Sequence, residues 1–311
     1  AEIAGPGFMN FFLNKKWFAD AVQNVLDEND NYGKTDAGKG KRVLVEFVSA
    51  NPTGPMHIGN ARGGAIGDCL ASVLNWAGYT AEREFYVNDA GNQIEKFGKS
   101  LDLRYMQLCS ENGKAAMEKI ADKEELIKHL YDLSGEGMEF EMPEDVYLGM
   151  DIIEHALNFL NINGNSYAES TVEERRKALV DYALPINIAG LERDLKKYRI
   201  IYDNWFKESV IHERNETKTV VDKLLENGNA YELDGAIWFK ATDYGMDKDF
   251  VLRRSNGLYT YIVPDIAYHY DKLVTRNFDK AINILGADHH GYVPRLKAAL
   301  TALGVDASKL D

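Results

Sequence analysis

Cysteine is scarce in this sequence: only Cys69 and Cys109 occur, with no CxxC pair and no Cys/His cluster. This argues against a disulfide scaffold and a zinc site, and predicts free thiols in a reducing compartment. A secretory signal and an apolar run of transmembrane length are also missing, so we expect a cytoplasmic protein without membrane contact. Basic residues number 36 against 49 acidic ones, a net charge of −13. That balance argues against a protein dedicated to coating nucleic acid, but is compatible with a local basic groove.

Residues 43–68 carry the most informative pattern in the chain. They predict an apolar strand over 43–48, a Pro/Gly-rich loop, and a helix that opens on His57-Ile58-Gly59-Asn60. The first N–H groups of such a helix and its dipole favour an anion. His57 could bond a phosphate there, and Gly59 would let an adenine ring lie against the backbone. The alternative is a capping histidine beside a packing glycine, and the position directly after the first sheet strand favours the anion site.

The remaining pattern predicts an α/β fold: a doubly wound parallel sheet that is split by a helical insertion. A second strand at 81–87 completes a β-α-β unit. Asp234-Gly235 and Asn256-Gly257 lie between apolar runs and predict β-hairpins in the second half. The expected divisions are an N-terminal helix and linker (1–40), the first half of the sheet domain (41–100), the helical insertion (101–200), and the second half (201–311).

Individual helices follow from the same periodicity. Within the insertion we expect helices over Ala115–Tyr131, Val146–Leu160 and Thr171–Tyr198. In the second half, Asp265 follows Pro264 and is expected to cap a helix that ends near residue 275.

A second loop with polar side chains lies between a predicted strand and a predicted helix, at Gly286-Ala287-Asp288-His289-His290-Gly291. Loops from opposite halves of a doubly wound sheet face each other at the switch point. His289 and His290 could be read as metal ligands, but adjacent histidines rarely both reach one ion and no third ligand is evident. We therefore favour nucleotide contact and expect no bound metal.

Acidic residues at strand ends and turns form a third group, Glu46, Asp265 and Asp288, with Tyr261 one helical turn before Asp265. Each alone is more often a cap or a surface charge. Together they would form an anionic pocket with one phenol. Such a pocket suits a planar guanidinium, whose rigid fork of N–H donors carboxylates accept bidentately.

These segments together resemble the catalytic core of bacterial arginyl-tRNA synthetases, a family of class I aminoacyl-tRNA synthetases. Residues 45–55 leading into His57-Ile58-Gly59-Asn60 are similar to that family's form of the HIGH motif. Residues 86–93, 259–268 and 286–291 resemble its other blocks, in the right order along nearly the whole chain. The resemblance implies a Rossmann-like sheet of the HUP type.

The resemblance also implies a reaction and a set of site residues. Arginine and ATP, with Mg²⁺, would give arginyl-adenylate and pyrophosphate, and the arginyl group would move to the 2′-hydroxyl of the terminal adenosine of tRNA(Arg). It implies catalytic roles for His57, Gly59 and Asn60; arginine binding by Glu46, Asn51, Tyr261, Asp265 and Asp288; and ATP binding by His57, Gly59, Asn60, His289, His290 and Gly291.

The sequence departs from the family pattern in two places. Asn60 stands where many class I enzymes have histidine, which predicts a weaker phosphate contact. A KMSKS-like loop, an N-terminal tRNA-contacting domain and a helical anticodon-binding domain are not found, so we expect a monomeric fragment with little or no activity. Two alternatives stay open: another class I synthetase or nucleotidyltransferase of this fold, and a non-catalytic paralogue that binds arginine or tRNA.

Overall fold

The first segment of the chain is a small hairpin followed by a helix. The structure, a computed structural model, describes residues 1–135, 137–286 and 291–311. Strands β1 (Glu2–Ala4) and β2 (Phe8–Asn10) pair antiparallel and precede helix α1 (Lys15–Glu28). Asn14 caps α1, because its side-chain oxygen accepts a hydrogen bond from the Lys16 N–H. None of the residues of α1 is buried.

The first sheet unit is β3 (Arg42–Phe47), α2 (Gly59–Trp76) and β4 (Thr80–Val87). The two strands are parallel neighbours, and the apolar run of β3 is buried, as is typical of a parallel strand covered on both faces. Gly67 brings α2 close to the sheet, since a Cβ there would lie 2.1 Å from the Phe47 Cγ. The predicted β-α-β unit is confirmed.

Five helices follow β4 and share a core of their own. They are α3 (Asn92–Cys109), α4 (Glu111–Lys119), α5 (Lys123–Asp132), α6 (Met150–Asn163) and α7 (Val172–Lys197). The single helix expected over Ala115–Tyr131 is wrong: α4 ends before Ile120, and the Asp122 carboxylate accepts from the Glu125 N–H and begins α5. Helix α3 crosses the division expected between residues 100 and 101. Helix α7 returns to the sheet, where Leu191 and Leu195 are buried.

The second half of the sheet begins after α7. Strand β5 (Asn204–Lys207) leads into α8 (Glu208–Glu213) and α9 (Glu216–Glu226). Strands β6 (Ala230–Leu233), β7 (Ala236–Phe239) and β8 (Phe250–Arg253) form a separate antiparallel sheet. Helix α10 (Ile262–Tyr270), strand β9 (Lys280–Ile284) and helix α11 (Val293–Ala302) complete the chain. The central sheet is all parallel, in the order β5-β4-β3-β9, which confirms the predicted fold class.

The two predicted turns differ in how much pairing they support. Asp234 and Gly235 both have positive φ, 50° and 75°, and join β6 to β7, as a type I′ hairpin requires. After Asn256-Gly257 only one antiparallel bridge, between Arg253 and Tyr259, extends the sheet. The second hairpin therefore has less strand pairing than the first, although the sequence predicted hairpins at both turns.

Asp265 does not cap its helix, contrary to the sequence-based expectation. Helix α10 begins at Ile262, so Asp265 lies in its first turn and its carboxylate accepts a hydrogen bond from the Tyr292 hydroxyl. Pro264 fits inside that first turn because the N–H it lacks would have no helical partner there. The helix continues as a π-helical segment over Asp271–Thr275, and thus reaches the predicted end near residue 275.

Candidate functional site

The chain leaves β3 through a strained turn at the carboxyl end of the sheet. Val48 and Ser49 have φ of 67° and 41°, the left-handed region that non-glycine residues, and β-branched ones above all, seldom adopt. The Ser49 hydroxyl holds the turn: it donates to Glu46 Oε1 at 2.9 Å and accepts from the Tyr86 N–H at 3.1 Å. Strain of this kind persists only where the surroundings impose it, and it concentrates at functional sites.

His57 lies at the N-terminus of α2, two residues before its first residue Gly59. Its Nδ1 accepts a hydrogen bond from the Gly59 N–H at 3.1 Å, so a neutral ring carries its proton on Nε2 and offers it outward. A Cβ on residue 59 would lie 2.7 Å from the ring, so Gly59 is required for this arrangement. The imidazole is exposed, as a group that meets a ligand must be.

Glu46 on β3 is buried beside Lys272, which lies in the π-helical segment that continues α10. Lys272 Nζ lies 2.6 Å from Glu46 Oε2 and 3.2 Å from Asn283 Oδ1. The lysine side chain has no exposure to solvent. Glu46 also lines a cavity.

A second buried carboxylate lies next to Glu46 in the sheet. Glu84 on β4 is its register partner, and it accepts hydrogen bonds from Arg276 Nη1 at 2.6 Å and from the Tyr268 hydroxyl at 2.6 Å. Burial acts to raise the pKa of Glu84, but the Arg276 guanidinium, the charge of Lys272 and the Tyr268 hydroxyl together outweigh it, and the pKa lies below its usual value. Glu84 is therefore ionised and fully engaged, which makes it a structural group and not a ligand-binding one.

The cavity beside Glu46 has a volume of about 310 Å³. Its polar lining includes Asp265, and burial raises the pKa of that carboxyl to about 6 while the Tyr292 hydroxyl pulls it down. Burial and the nearby charge of Lys272 lower the pKa of His269, which also lines the cavity, so this imidazole is neutral. Among the described lining residues there is no Lys or Arg. The cavity therefore favours a cationic ligand.

Glu208 is a site residue that the sequence reasoning missed. It is the first residue of α8, directly after β5, and accepts a hydrogen bond from the Tyr86 hydroxyl at 2.9 Å. Burial raises the pKa of Tyr86, and the charges of Glu208 and Asp265 add to the effect. Its signal in the sequence is its position directly after a strand.

Tyr261 lies near these acids although its side chain is largely exposed. Burial of part of the ring raises the pKa of Tyr261, with further contributions from the charges of Glu208 and Asp265. The phenol and the acids thus belong to one neighbourhood, as the sequence predicted for Tyr261 and Asp265. Asp288, the third predicted acid, lies outside the described residues, as do His289 and His290. Gly291 is described and lies in an exposed turn before α11.

A second cavity, of about 510 Å³, adjoins the strained turn at Ser49. Asn51, His57 and Asn60 line it, together with Tyr147 and Asp151 from the helical insertion. His57 and Asn60, two of the predicted phosphate-binding residues, therefore line the same cavity as Asn51, while Glu46 and Asp265 line the first cavity. Ser49 connects the two, since it lines the second cavity and bonds Glu46.

The helical insertion holds the loop between β3 and α2. Asn187 on α7 donates from Nδ2 to the Pro52 carbonyl at 3.0 Å, and its Oδ1 lies 2.7 Å from His155 Nε2. Because the amide nitrogen is committed to a carbonyl, the amide oxygen must accept, and His155 donates from Nε2. This chain of contacts links α6 and α7 to the loop that carries Asn51 and His57.

The described residues also bear on two other kinds of site. Within residues 1–135, 137–286 and 291–311, no group of three His, Cys, Asp or Glu side chains is arranged to hold a metal ion. In the same part of the chain, no helix has the length and apolarity to cross a membrane.

A parallel sheet of this order, with cavities near the carboxyl ends of its strands, is a doubly wound fold of the kind that binds nucleotides at its switch point. The family model described as "tRNA synthetases class I (R), catalytic domain" matches residues 21–310. The chain belongs to this family, which confirms the resemblance drawn from the sequence.

Individual relatives agree with this assignment. The chain is 51% identical over 310 residues to an arginine–tRNA ligase of Caldanaerobacter subterraneus and 49% identical over 310 residues to one of Acetivibrio thermocellus, covering 100% of this chain and 50% of each relative. It thus spans about half the length of the curated relatives it matches. The solved arginyl-tRNA synthetase of Thermus thermophilus, 20% identical with a TM-score of 0.62, matches 93% of this chain and 50% of its own, and shares the fold.

Proposed function

We propose that this chain is the part of an arginine–tRNA ligase that binds L-arginine and ATP and forms arginyl-adenylate. The observation that carries the proposal is the acidic cavity: Glu46 and Asp265 line it, Glu208 lies beside it, and the described lining has no cation. A guanidinium and an α-ammonium both satisfy such acceptors. Ligands that lack the donors would leave buried acceptors unpaired, which costs large factors in affinity.

The proposed assignment spans the two cavities, because Glu46 lines the first and Asn51 lines the second. Glu46 and Asn51 hold the α-amino end of arginine. Tyr261, Asp265 and Asp288 hold the guanidinium, and we add Glu208 to this group because it shares their neighbourhood. His57, Gly59 and Asn60 hold the ATP phosphates and adenosine and serve as the catalytic group, with His289, His290 and Gly291 near the base.

Chemically, the carboxylate of arginine attacks the α-phosphate of ATP and pyrophosphate leaves. Catalysis of this kind depends on positioning and on donors that stabilise the developing charge. His57 Nε2–H is such a donor. Mg²⁺ is proposed to accompany ATP as part of the substrate.

The complete activity involves further partners. We propose that the arginyl group passes to the 2′-hydroxyl of the terminal adenosine of tRNA(Arg), in the cytoplasm, by a protein that acts as a monomer. The 311-residue chain alone is proposed to be nearly inactive, because it matches half of its relatives' length.

Calorimetric titration of the chain with L-arginine, L-citrulline and L-lysine tests the proposal. Citrulline has arginine's shape but lacks the charge, and lysine has the charge but lacks the planar fork. We expect saturable binding of arginine, and binding weaker by at least about tenfold for both analogues. Equal binding of all three would contradict the guanidinium assignment and favour another class I enzyme of the same fold.

A further inference from the structure

We propose that Lys272 is a positioning residue, which pairs with the Glu46 carboxylate and keeps it aimed at the α-ammonium group of the amino-acid ligand. The proposal rests on the proposed function, because it takes the role of Glu46 from there. Lys272 itself is not expected to touch the ligand. It acts through Glu46.

The contacts of Lys272 leave it no free donor for a ligand. Its Nζ donates to Glu46 Oε2 at 2.6 Å and to Asn283 Oδ1 at 3.2 Å. It also lies 4.0 Å from the centre of the Tyr268 ring, over its face. The side chain is completely buried, so the two oxygens and the ring account for the ammonium group.

Glu46, in contrast, keeps acceptor capacity on the cavity side. Its Oε2 accepts from Lys272 and its Oε1 accepts from the Ser49 hydroxyl at 2.9 Å. Each carboxylate oxygen can accept more than one hydrogen bond. The carboxylate is therefore held at both oxygens and can still accept a bond from an ammonium group in the cavity that it lines.

The neighbourhood explains why Glu46 needs its own cation. Glu84 faces Glu46 across the parallel strands, and two buried carboxylates in adjacent positions repel each other. Arg276 neutralises Glu84, and Lys272 neutralises Glu46. Asp265 adds a third carboxyl nearby. Removal of Lys272 would therefore leave Glu46 close to two other acidic side chains without its own ion-pair partner.

Lys272 lies in the π-helical segment that continues α10, and Arg276 directly follows this segment. The Arg276 N–H donates to the Asp271 carbonyl at 2.8 Å, the wide hydrogen bond of a π turn. Such turns are rare and occur frequently at functional sites. Here the segment and the residue after it bring Lys272 to β3 and Arg276 to β4, one cation to each carboxylate.

The test compares L-arginine with desamino-arginine, which keeps the guanidinium and the carboxylate but has no α-amino group. We expect the wild-type chain to prefer arginine, because only arginine offers an ammonium to Glu46. In Lys272→Met this preference is expected to fall by about tenfold or more, while the affinity for desamino-arginine stays within about twofold. A general loss of structure would weaken both ligands together.

Lys223→Met is the matched control. Lys223 also contacts α10, where its Nζ donates to the Tyr270 hydroxyl at 2.6 Å, but it lies away from the cavity and its loss should leave the preference unchanged. Lys272→Gln is the second variant, because it keeps a donor to Glu46 without the charge and serves if Lys272→Met does not fold. It is expected to lose the preference as well.

The outcomes distinguish failure of the role proposed for Glu46 from failure of the role proposed for Lys272. If the wild-type chain does not distinguish the ligands, the role of Glu46 in the proposed function fails, and the Lys272 proposal fails with it. If the wild-type preference exists and survives intact in the folded Lys272 variants, the role of Lys272 alone is refuted. Loss of the preference in these variants, with Lys223→Met unchanged, supports the proposal.

Discussion

The Lys272 ammonium lies 2.6 Å from a Glu46 carboxylate oxygen, with the lysine fully buried and the glutamate nearly so. The residues are 226 positions apart in the chain, and each belongs to a different half of the sheet domain. Their ion pair therefore links the second half of the sheet domain to the first, next to the cavity that Glu46 lines. A buried pair of this kind stabilises less than its charge suggests, but removal of one partner is costly.

The Glu84–Arg276 pair provides a stability prediction. Arg276→Met should leave the fully buried Glu84 carboxylate without its guanidinium and lower the free energy of unfolding by about 3–5 kcal/mol. Urea unfolding followed by circular dichroism measures the change. The control is Lys177→Met, whose exposed pair with Asp181 should be worth about 0–1 kcal/mol. Equal losses in both variants would contradict the account of the buried network.

Gly67 provides a second stability prediction, with a control on the same helix. In Gly67→Ala the new Cβ would lie 2.1 Å from Phe47 Cγ, and such overpacking should cost about 1–3 kcal/mol or more. Gly63 has open space where its Cβ would lie, so Gly63→Ala should instead stabilise α2 by about 1 kcal/mol. Thermal unfolding of both variants tests the pair. The same sign for both would refute the close helix–sheet contact.

The raised pKa of Asp265 predicts how ligand binding depends on pH. Burial raises this pKa to about 6, and the guanidinium needs the ionised form. The affinity for arginine should therefore decline as the pH falls below about 6 and level off above it. Titrations from about pH 5 to pH 8 measure this, and Asp265→Asn should bind weakly throughout without that inflection. An unchanged inflection in the variant would assign it to another group.

The raised pKa of Asp265 also predicts how the stability of the fold depends on pH. A carboxyl whose pKa is higher in the folded state binds protons that the unfolded chain releases, so its contribution to stability falls as the pH rises from about 4 to about 6. In Asp265→Asn this contribution is absent. The variant should therefore gain stability relative to wild type as the pH rises through that window, measured by urea unfolding. A constant difference would contradict the raised pKa.

The contact between Asn187 and Pro52 predicts an effect on the nucleotide side. Asn187→Asp keeps the acceptor for His155 but cannot donate to the Pro52 carbonyl, so the loop that carries His57 loses its tie to α7. Affinity for a non-hydrolysable ATP analogue should fall by about tenfold, while arginine binding is largely kept. Equal losses for both ligands would show that the variant disturbs the fold and not the loop alone.

Local pattern was enough to predict the parts of the fold that depend on neighbouring residues. The β-α-β unit from 43 to 87 and the hairpin at Asp234-Gly235 both follow from periodicity and turn chemistry. The helix expected over 115–131 failed because a cap at Asp122 restarts the helix within an otherwise periodic stretch.

The candidate site was predicted only in part, for a physical reason. Their positions at a strand end and at a turn pointed to Glu46 and Asp265, which line one cavity. The side chains that bind these two carboxylates, Lys272 and Tyr292, come from distant segments and have no local signature. Asp265 was misread as a cap for the same reason, since its true partner is contributed by another helix.

The most direct test of the central claim is a crystal structure of the chain grown with L-arginine and a non-hydrolysable ATP analogue. The account predicts the guanidinium against Asp265 and Glu208, the α-ammonium against Glu46, and phosphate oxygens beside His57. Arginine bound elsewhere on the surface, or with its guanidinium in the cavity beside His57, would contradict it.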